Sequence, residues 1–268
     1  MNPLIYVGCL ALTGIAAGFS SGLFGVGGGF LMVPVQYWLL ANSGFDGTIA
    51  TRVAFGTSLA VALPTMISGT AGHHRKGAVS WAAAIPMGIA AVFGALIGGT
   101  LAAYLPGSIL RIVFSVVVVT MAIRMLWKIQ ECSACDIRGS LPVYLVTGCM
   151  IGILSGLAGI GGGVLLVPIL VIFLRFPMHL AVGTSSACLI FSLAGAVSAY
   201  IFHGWGMPGL PPYSFGYINL AQWAVLAATT IPMAWIGAKG AHRCPARTLQ
   251  IIFAGVMILI GLLMLIST

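Results

Sequence analysis

Apolar runs of about twenty residues follow one another from end to end of this chain, separated by single charges rather than by polar surface. Each run is long enough to cross the hydrocarbon core of a bilayer as a helix, which takes ~20 residues at ~1.5 Å per residue. A water-soluble domain is excluded, because only 5% of the residues are charged and 60% are hydrophobic, where soluble domains carry roughly 25% charged residues. The expected fold class is an all-α polytopic membrane protein with the lipid bilayer as its solvent.

The formal charge of +8, from 11 basic and 3 acidic residues, does not indicate nucleic acid. The bases stand singly between the apolar runs and read as topology signals. Met1-Asn2-Pro3-Leu4 carries no basic n-region, so no cleaved signal peptide is expected. The six cysteines are scattered through apolar segments and form no disulfide framework.

The chain repeats itself. The run from Gly18 through Gly25-Val26-Gly27-Gly28-Gly29 to Pro34 returns as the run from Gly152 through Gly159-Ile160-Gly161-Gly162-Gly163 to Pro168. Gly56-Thr57-Ser58 returns as Gly183-Thr184-Ser185, and Gly98, Pro106 and Phe114 return as Gly237, Pro245 and Phe253 at the same spacing. The chain therefore divides into a first transmembrane repeat over 1–130, a cytoplasmic link over 131–139 and a second repeat over 140–268. A Gly/Pro-rich insertion over 204–216 belongs to the second repeat alone.

Each repeat holds five apolar segments, roughly 4–24, 30–41, 53–72, 79–103 and 108–128, then 140–158, 164–174, 181–203, 217–238 and 247–266. The second segment of each is too short for a straight crossing. Segments one and two thus form either a returning hairpin or one broken crossing. Basic residues favour the hairpin: it gathers Arg75, Lys76, Arg124, Lys128, Arg138, Arg175, Lys239, Arg243 and Arg247 on one side, leaving Arg52 and Arg111 on the other. The single crossing shows no such bias. By the positive-inside rule both termini then lie outside the cytoplasm, each repeat crosses an odd number of times, and the second is inserted upside down. Inverted repeats with interrupted helices place a transporter's site near midplane.

The paired glycine runs each precede a short apolar helix. Glycine supplies the freedom to end one helix and start another, and the new helix presents unpaired N–H groups and the positive end of its dipole. Gly27, Gly28, Gly29, Gly161, Gly162 and Gly163 are therefore candidate anion-binding positions that need no basic side chain. The alternative is close helix packing, as expected for Gly152 and Gly156. A dinucleotide-binding reading fails, since no strand precedes either run and no acid follows suitably.

Thr57, Ser58, Thr184, Ser185 and Ser186 open the third segment of each repeat; they either donate to an oxyanion or bond within the helices. Ser20, Ser21 and Ser155 are candidates on the same logic, and Gln36 and Gln222 rank above Asn219 as pathway residues. The acids Asp46, Glu131 and Asp136 all fall in loops, so no membrane carboxylate offers a proton relay and a cationic substrate is disfavoured. Cys132 and Cys135 form a CxxC without the further ligands of a zinc site. Cys149 and Cys188 read as buried apolar cysteines, and His73 and His74 as a solvated cytoplasmic cap.

With its paired Gly-x-Gly-Gly-Gly runs ending in Pro34 and Pro168 and its paired Gly-Thr-Ser, the chain resembles the TauE/SafE sulfite exporter family, also called the 4-toluene sulfonate uptake permease family. The resemblance spans essentially the whole chain. It implies a multi-pass protein of the bacterial inner membrane that moves small sulfur-containing anions, such as sulfite, thiosulfate or sulfonates. It implies no enzyme activity, cofactor or metal. A passive anion channel and, from another class, a thiol oxidoreductase using Cys132 and Cys135 are the alternatives. The 204–216 insertion departs from the family pattern.

Overall fold

The glycine run at the end of the first apolar segment breaks it in two. The computed structural model describes residues 3–127, 139–159, 162–241 and 245–266. In the first half, α1 (Pro3–Phe24) is followed by α2 (Gly29–Ala41), α3 (Gly47–His74), α4 (Trp81–Tyr104) and α5 (Gly107–Trp127). In the second, α6 (Leu141–Ala158) is followed by α7 (Gly163–Ile172), α8 (Met178–Gly204), α9 (Leu220–Ala241) and α10 (Ala246–Ile266). The expected segments thus appear as helices in the expected order. The 204–216 insertion is turn-rich and ends in a small hairpin, β1 (Ser214–Phe215) with β2 (Ile218–Asn219), in antiparallel register Ser214 to Asn219.

Helices α1, α3, α4, α8 and α9 are each long and apolar enough to cross a bilayer. In contrast, α2 has 13 residues and α7 has 10, or ~20 and ~15 Å against a hydrocarbon core of ~30 Å. Large apolar side chains point outward: Ile85, Ile89, Phe93, Ile97 and Leu101 form an exposed row along α4 at helical spacing. The interior instead holds Gln36, Thr57, Ser58, Thr65, Thr184, Ser185, Ser186, Ser192 and Thr230, all fully buried.

Small residues let the backbones approach. A Cβ on Gly18 would lie 2.5 Å from the Thr230 oxygen, and Gly14 and Gly22 meet Thr229 and Ala234. The counterpart triplet Gly148, Gly152 and Gly156 abuts Met87, Ala91 and Ala95 of α4. The packing role expected of Gly152 and Gly156 is therefore present, and it extends one helical turn further to Gly148.

These pairings fix helix directions. Position rises together along α1 and α9 (Gly14 with Thr229, Gly22 with Ala234) and along α4 and α6 (Met87 with Gly148, Ala95 with Gly156). Likewise α3 runs with α9, since Trp223 Nε1 donates to the Ala60 carbonyl at 3.1 Å and Ser68 Oγ to that of Ile231 at 2.9 Å. Helix α4 runs with α8, pairing Gly88 with Phe191 and Gly99 with Ala199. Helices α3 and α8 cross in opposite senses, with Gly56 beside Tyr200 and His73 beside Gly183. Hence α1, α3 and α9 point one way, and α4, α6 and α8 the other.

Three expectations are corrected. Thr57 and Thr184 do not open their helices: α3 already begins at Gly47 and α8 at Met178. Asp46 caps α3 by accepting from the Thr48 and Ile49 N–H groups at 2.8 and 3.2 Å, and Arg52 lies inside the helix although its charge marked an end in the sequence. His73 is not a solvated residue; it is fully buried, with Nε2 2.9 Å from the Gly22 carbonyl oxygen. His74 remains exposed, its Nδ1 accepting from Trp81 Nε1 at 3.2 Å.

Candidate substrate site

Both helix breaks are made by glycines in the left-handed region, where a side chain is strained. Gly25, Gly27 and Gly28 have φ of 69, 91 and 72°, and Gly159 and Gly162 have 63 and 76°; Ile160 and Gly161 lie outside the described residues. Gly28 and Gly162 cap α2 and α7 in the same conformation, φ 72 with ψ −5° and φ 76 with ψ −12°. In both helices the first bonds converge on that glycine's carbonyl, from Leu31 and Met32 at 3.1 and 3.2 Å and from Leu165 and Leu166 at 3.1 and 3.0 Å. Neither start carries a side-chain cap, so each presents the positive end of a helix dipole.

The two breaks touch. A Cβ on Gly163, the first residue of α7, would lie 2.5 Å from Val26 Cα and 2.8 Å from the Gly25 oxygen. Gly29 and Gly163 are both buried, so the two positive helix ends open into the interior.

The paired hydroxyls join the halves. Ser185 Oγ donates to the Gly25 carbonyl at 2.9 Å, and the Ser58 hydroxyl lies 2.9 Å from both the Gly159 carbonyl and the Phe55 carbonyl of its own helix, which share its one proton. Thr57 Oγ1 accepts from the Asn219 N–H at 2.9 Å and Thr184 Oγ1 from the Ser80 N–H at 3.0 Å, each at the residue before a helix of the opposite half. Ser186 bonds back to the Val182 carbonyl at 2.9 Å. In this conformation the Ser58 and Ser185 hydroxyl protons hold the breaks themselves.

Other polar atoms have no protein partner. Ser21 Oγ, Ser155 Oγ and both amide atoms of Gln36 are buried and unbonded, and each such group costs ~1–3 kcal/mol. Ser21 and Ser155 are counterparts in the two halves, each in the last turn before a break, and Ser155 Oγ lies 3.3 Å from where a Gly162 Cβ would stand. Pro34 corresponds to Pro168, so Gln36 stands where the second half has Leu170. Gln222 donates through Nε2 to the Tyr6 hydroxyl and leaves Oε1 unbonded.

Asn219 does more than its sequence ranking implied, since its Oδ1 accepts from the Gln222 N–H at 2.9 Å and so caps α9. The capping spacing, Asn three positions before Gln222, was the available signal. Arg52 and Arg111 carried only a topological reading, yet Arg111 is buried; a lone arginine in a sequence gives no sign of that. Cys188 is buried in the core as expected. Cys132 and Cys135 lie outside the described residues, and among the described residues no cluster of His, Cys, Asp or Glu could hold a metal.

The profile of the family "Sulfite exporter TauE/SafE" matches residues 10–264. A "Probable membrane transporter protein" of Haemophilus influenzae is 32% identical, with 95% of this chain and 96% of that protein covered. Proteins of the same description from Methanocaldococcus jannaschii (28% identical, 98% and 96% covered) and Bacillus subtilis (27%, 94% and 94%) are also similar. No solved structure matches. With that family's profile matching nearly the whole chain, and with helices long enough to cross a bilayer, this chain belongs to the TauE/SafE family of membrane transporters.

Proposed function

We propose that the chain carries a small sulfur oxyanion, such as sulfite, thiosulfate or a sulfonate, across the membrane by alternating access between two inverted repeats. The repeats are 1–130 and 140–268, joined by 131–139 on the cytoplasmic side, with both termini on the opposite face of a bacterial inner membrane. The observation that carries the reading is the contact of Gly163, the uncapped start of α7, with Val26 in the break that precedes the uncapped start of α2, with unbonded Ser21 and Ser155 in the last helical turns before the two breaks. An oxyanion there would receive N–H groups at Gly29 and Gly163, hydroxyls from Ser21 and Ser155, and two favourable dipoles. Gly27, Gly28, Gly161 and Gly162 shape the turns, and Thr57, Ser58, Thr184, Ser185 and Ser186 hold them. Gln36 and Gln222 border the route.

Helix directions support the inversion. Helix α1 and its counterpart α6 run oppositely, as do α3 and α8, and α4 and α9. Because α1 and α3 share a direction, α2 must bring the chain back between them, which is the hairpin that the distribution of basic residues favours.

A passive facilitator is the second reading. Asp46 is the acid among the described residues, and it is spent on capping α3 at an exposed position, which leaves coupling to protons or sodium without a carboxylate. Flux of thiosulfate into proteoliposomes decides the matter: dependence on an imposed ion gradient beyond its voltage supports the coupled carrier, and indifference supports the facilitator. Absence of flux for every sulfur anion removes the substrate assignment.

A further inference from the structure

Arg111 is 7% exposed, within a bundle whose surroundings are apolar. Its Nη1 donates to Thr51 Oγ1 at 2.9 Å, and its guanidinium carbon lies 4.7 Å from the Tyr37 ring centroid. Its Nε is buried and has no partner. Guanidinium stays charged in proteins, and cation–π contact with one hydroxyl bond falls short of neutralising a buried cation. Asp46 is the one acid among the described residues; it is exposed, and its Oδ1 accepts from the two N–H groups that start α3.

A second cation stands next in sequence to Arg111's hydroxyl partner. Arg52, the residue after Thr51, donates to the Leu105 carbonyl at 3.1 Å and to the Tyr217 hydroxyl at 3.3 Å, and its Nε is also buried and unpartnered. Both arginines therefore bracket the start of α5, at the end of the bundle that holds few other basic residues. Tyr37 connects this end with the glycine break, because it sits eight residues along α2 from Gly29 (37 − 29 = 8), ~12 Å of helix.

We propose that Arg111, held in place by Thr51 (whose own proton goes to the Gly47 carbonyl at 2.7 Å) and aided by Arg52, forms an anion-receiving site at the non-cytoplasmic mouth, separate from the helix break. It takes a small divalent oxyanion, whose charge compensates the buried guanidinium and whose oxygens accept from the free Nε–H. Its place on the transport route rests on the function proposed above; its binding of anions does not. The second half offers no equivalent, since Arg52 corresponds to His179 and Arg111 to Gln250, so the two mouths of the transporter differ in charge.

The test is titration calorimetry of thiosulfate and of sulfate into the detergent-purified full chain at low ionic strength. The parent is expected to show two binding components; Arg111→Gln weakens the mouth component at least tenfold, and Arg111→Lys, which keeps the charge and loses the fork, weakens it at least threefold. The double variant Ser21→Ala/Ser155→Ala, altered only at the helix break, is expected to lose the break component and to keep the Arg111-dependent component within threefold of the parent. Unchanged affinity in Arg111→Lys, or in a folded Arg111→Gln, overturns the mouth site. Loss of all binding in the serine double variant also overturns it while leaving the break as the site, and no binding of either anion by the parent chain overturns both.

Discussion

The Ser58 hydroxyl on α3 reaches the carbonyl oxygen of Gly159, 2.9 Å away at the end of α6, and shares its proton with the Phe55 carbonyl one turn back. The mirror bond runs from Ser185 on α8 to Gly25 at the end of α1, at the same distance. Each half thus supplies the clamp for the other half's helix break. An alternating-access motion that reshapes either break has to loosen or carry along a bond made by the opposite half, so the two breaks are mechanically coupled.

Ser58→Ala and Ser185→Ala each leave a buried carbonyl without its donor. Each is expected to lower stability by ~1–3 kcal/mol, read as a fall in melting temperature of the purified protein. Because the two carbonyls belong to touching breaks, the double variant is expected to depart from additivity.

Gln36→Leu installs the residue found at the corresponding Leu170. It removes two unbonded buried polar atoms, so the protein is expected to be as stable as the parent or more so. Transport of thiosulfate is expected to fall by at least about tenfold, on the scale of one lost charge-assisted hydrogen bond of ~1.5–3 kcal/mol. A stable variant with parental flux removes Gln36 from the route.

Gly18→Leu and Gly152→Leu wedge a side chain into the α1–α9 and α4–α6 contacts. At both positions a Cβ would already approach the facing backbone to within van der Waals radii. Each is expected to cost more than ~3 kcal/mol, beyond ordinary overpacking of ~1–3 kcal/mol, and to be seen as loss of monodisperse protein on size exclusion. Gly8→Leu, with nothing near its Cβ position, is the control expected to behave as the parent.

Thr57→Val and Thr184→Val withdraw the acceptors for the N–H groups of Asn219 and Ser80. A cost of ~1 kcal/mol each is expected, with local exchange at the starts of α9 and α4 quickened in hydrogen–deuterium exchange. Protection unchanged at both helix starts contradicts this role.

The helices were legible because apolar length and glycine placement are properties of contiguous sequence. The short α2 and α7 followed from the short apolar runs over 30–41 and 164–174 that come after Gly29 and Gly163. Function of the hydroxyls was less legible: Ser58 meets Gly159 across 101 positions and Ser185 meets Gly25 across 160, and no local pattern encodes which backbone oxygen from the other half comes near. His73 misled for a similar reason, since its neighbours Arg75 and Lys76 mark a helix end while its own ring turns inward to Gly22. Arg52 shortened the expected third segment because a charge in a helix of this kind reads as a boundary. Its bonds to Leu105 and Tyr217 keep it inside α3.

An anion passing between the two helix starts would meet the hydroxyls of Ser21 and Ser155, which have no protein partner. The direct measurement is thiosulfate flux in proteoliposomes holding equal amounts of the parent and the Ser21→Ala/Ser155→Ala variant, with melting temperatures recorded alongside. Flux is expected to fall by at least tenfold in the double variant while its stability is kept or raised, because both removed hydroxyls lack protein partners. Parental flux in a stable double variant would contradict passage between the helix starts.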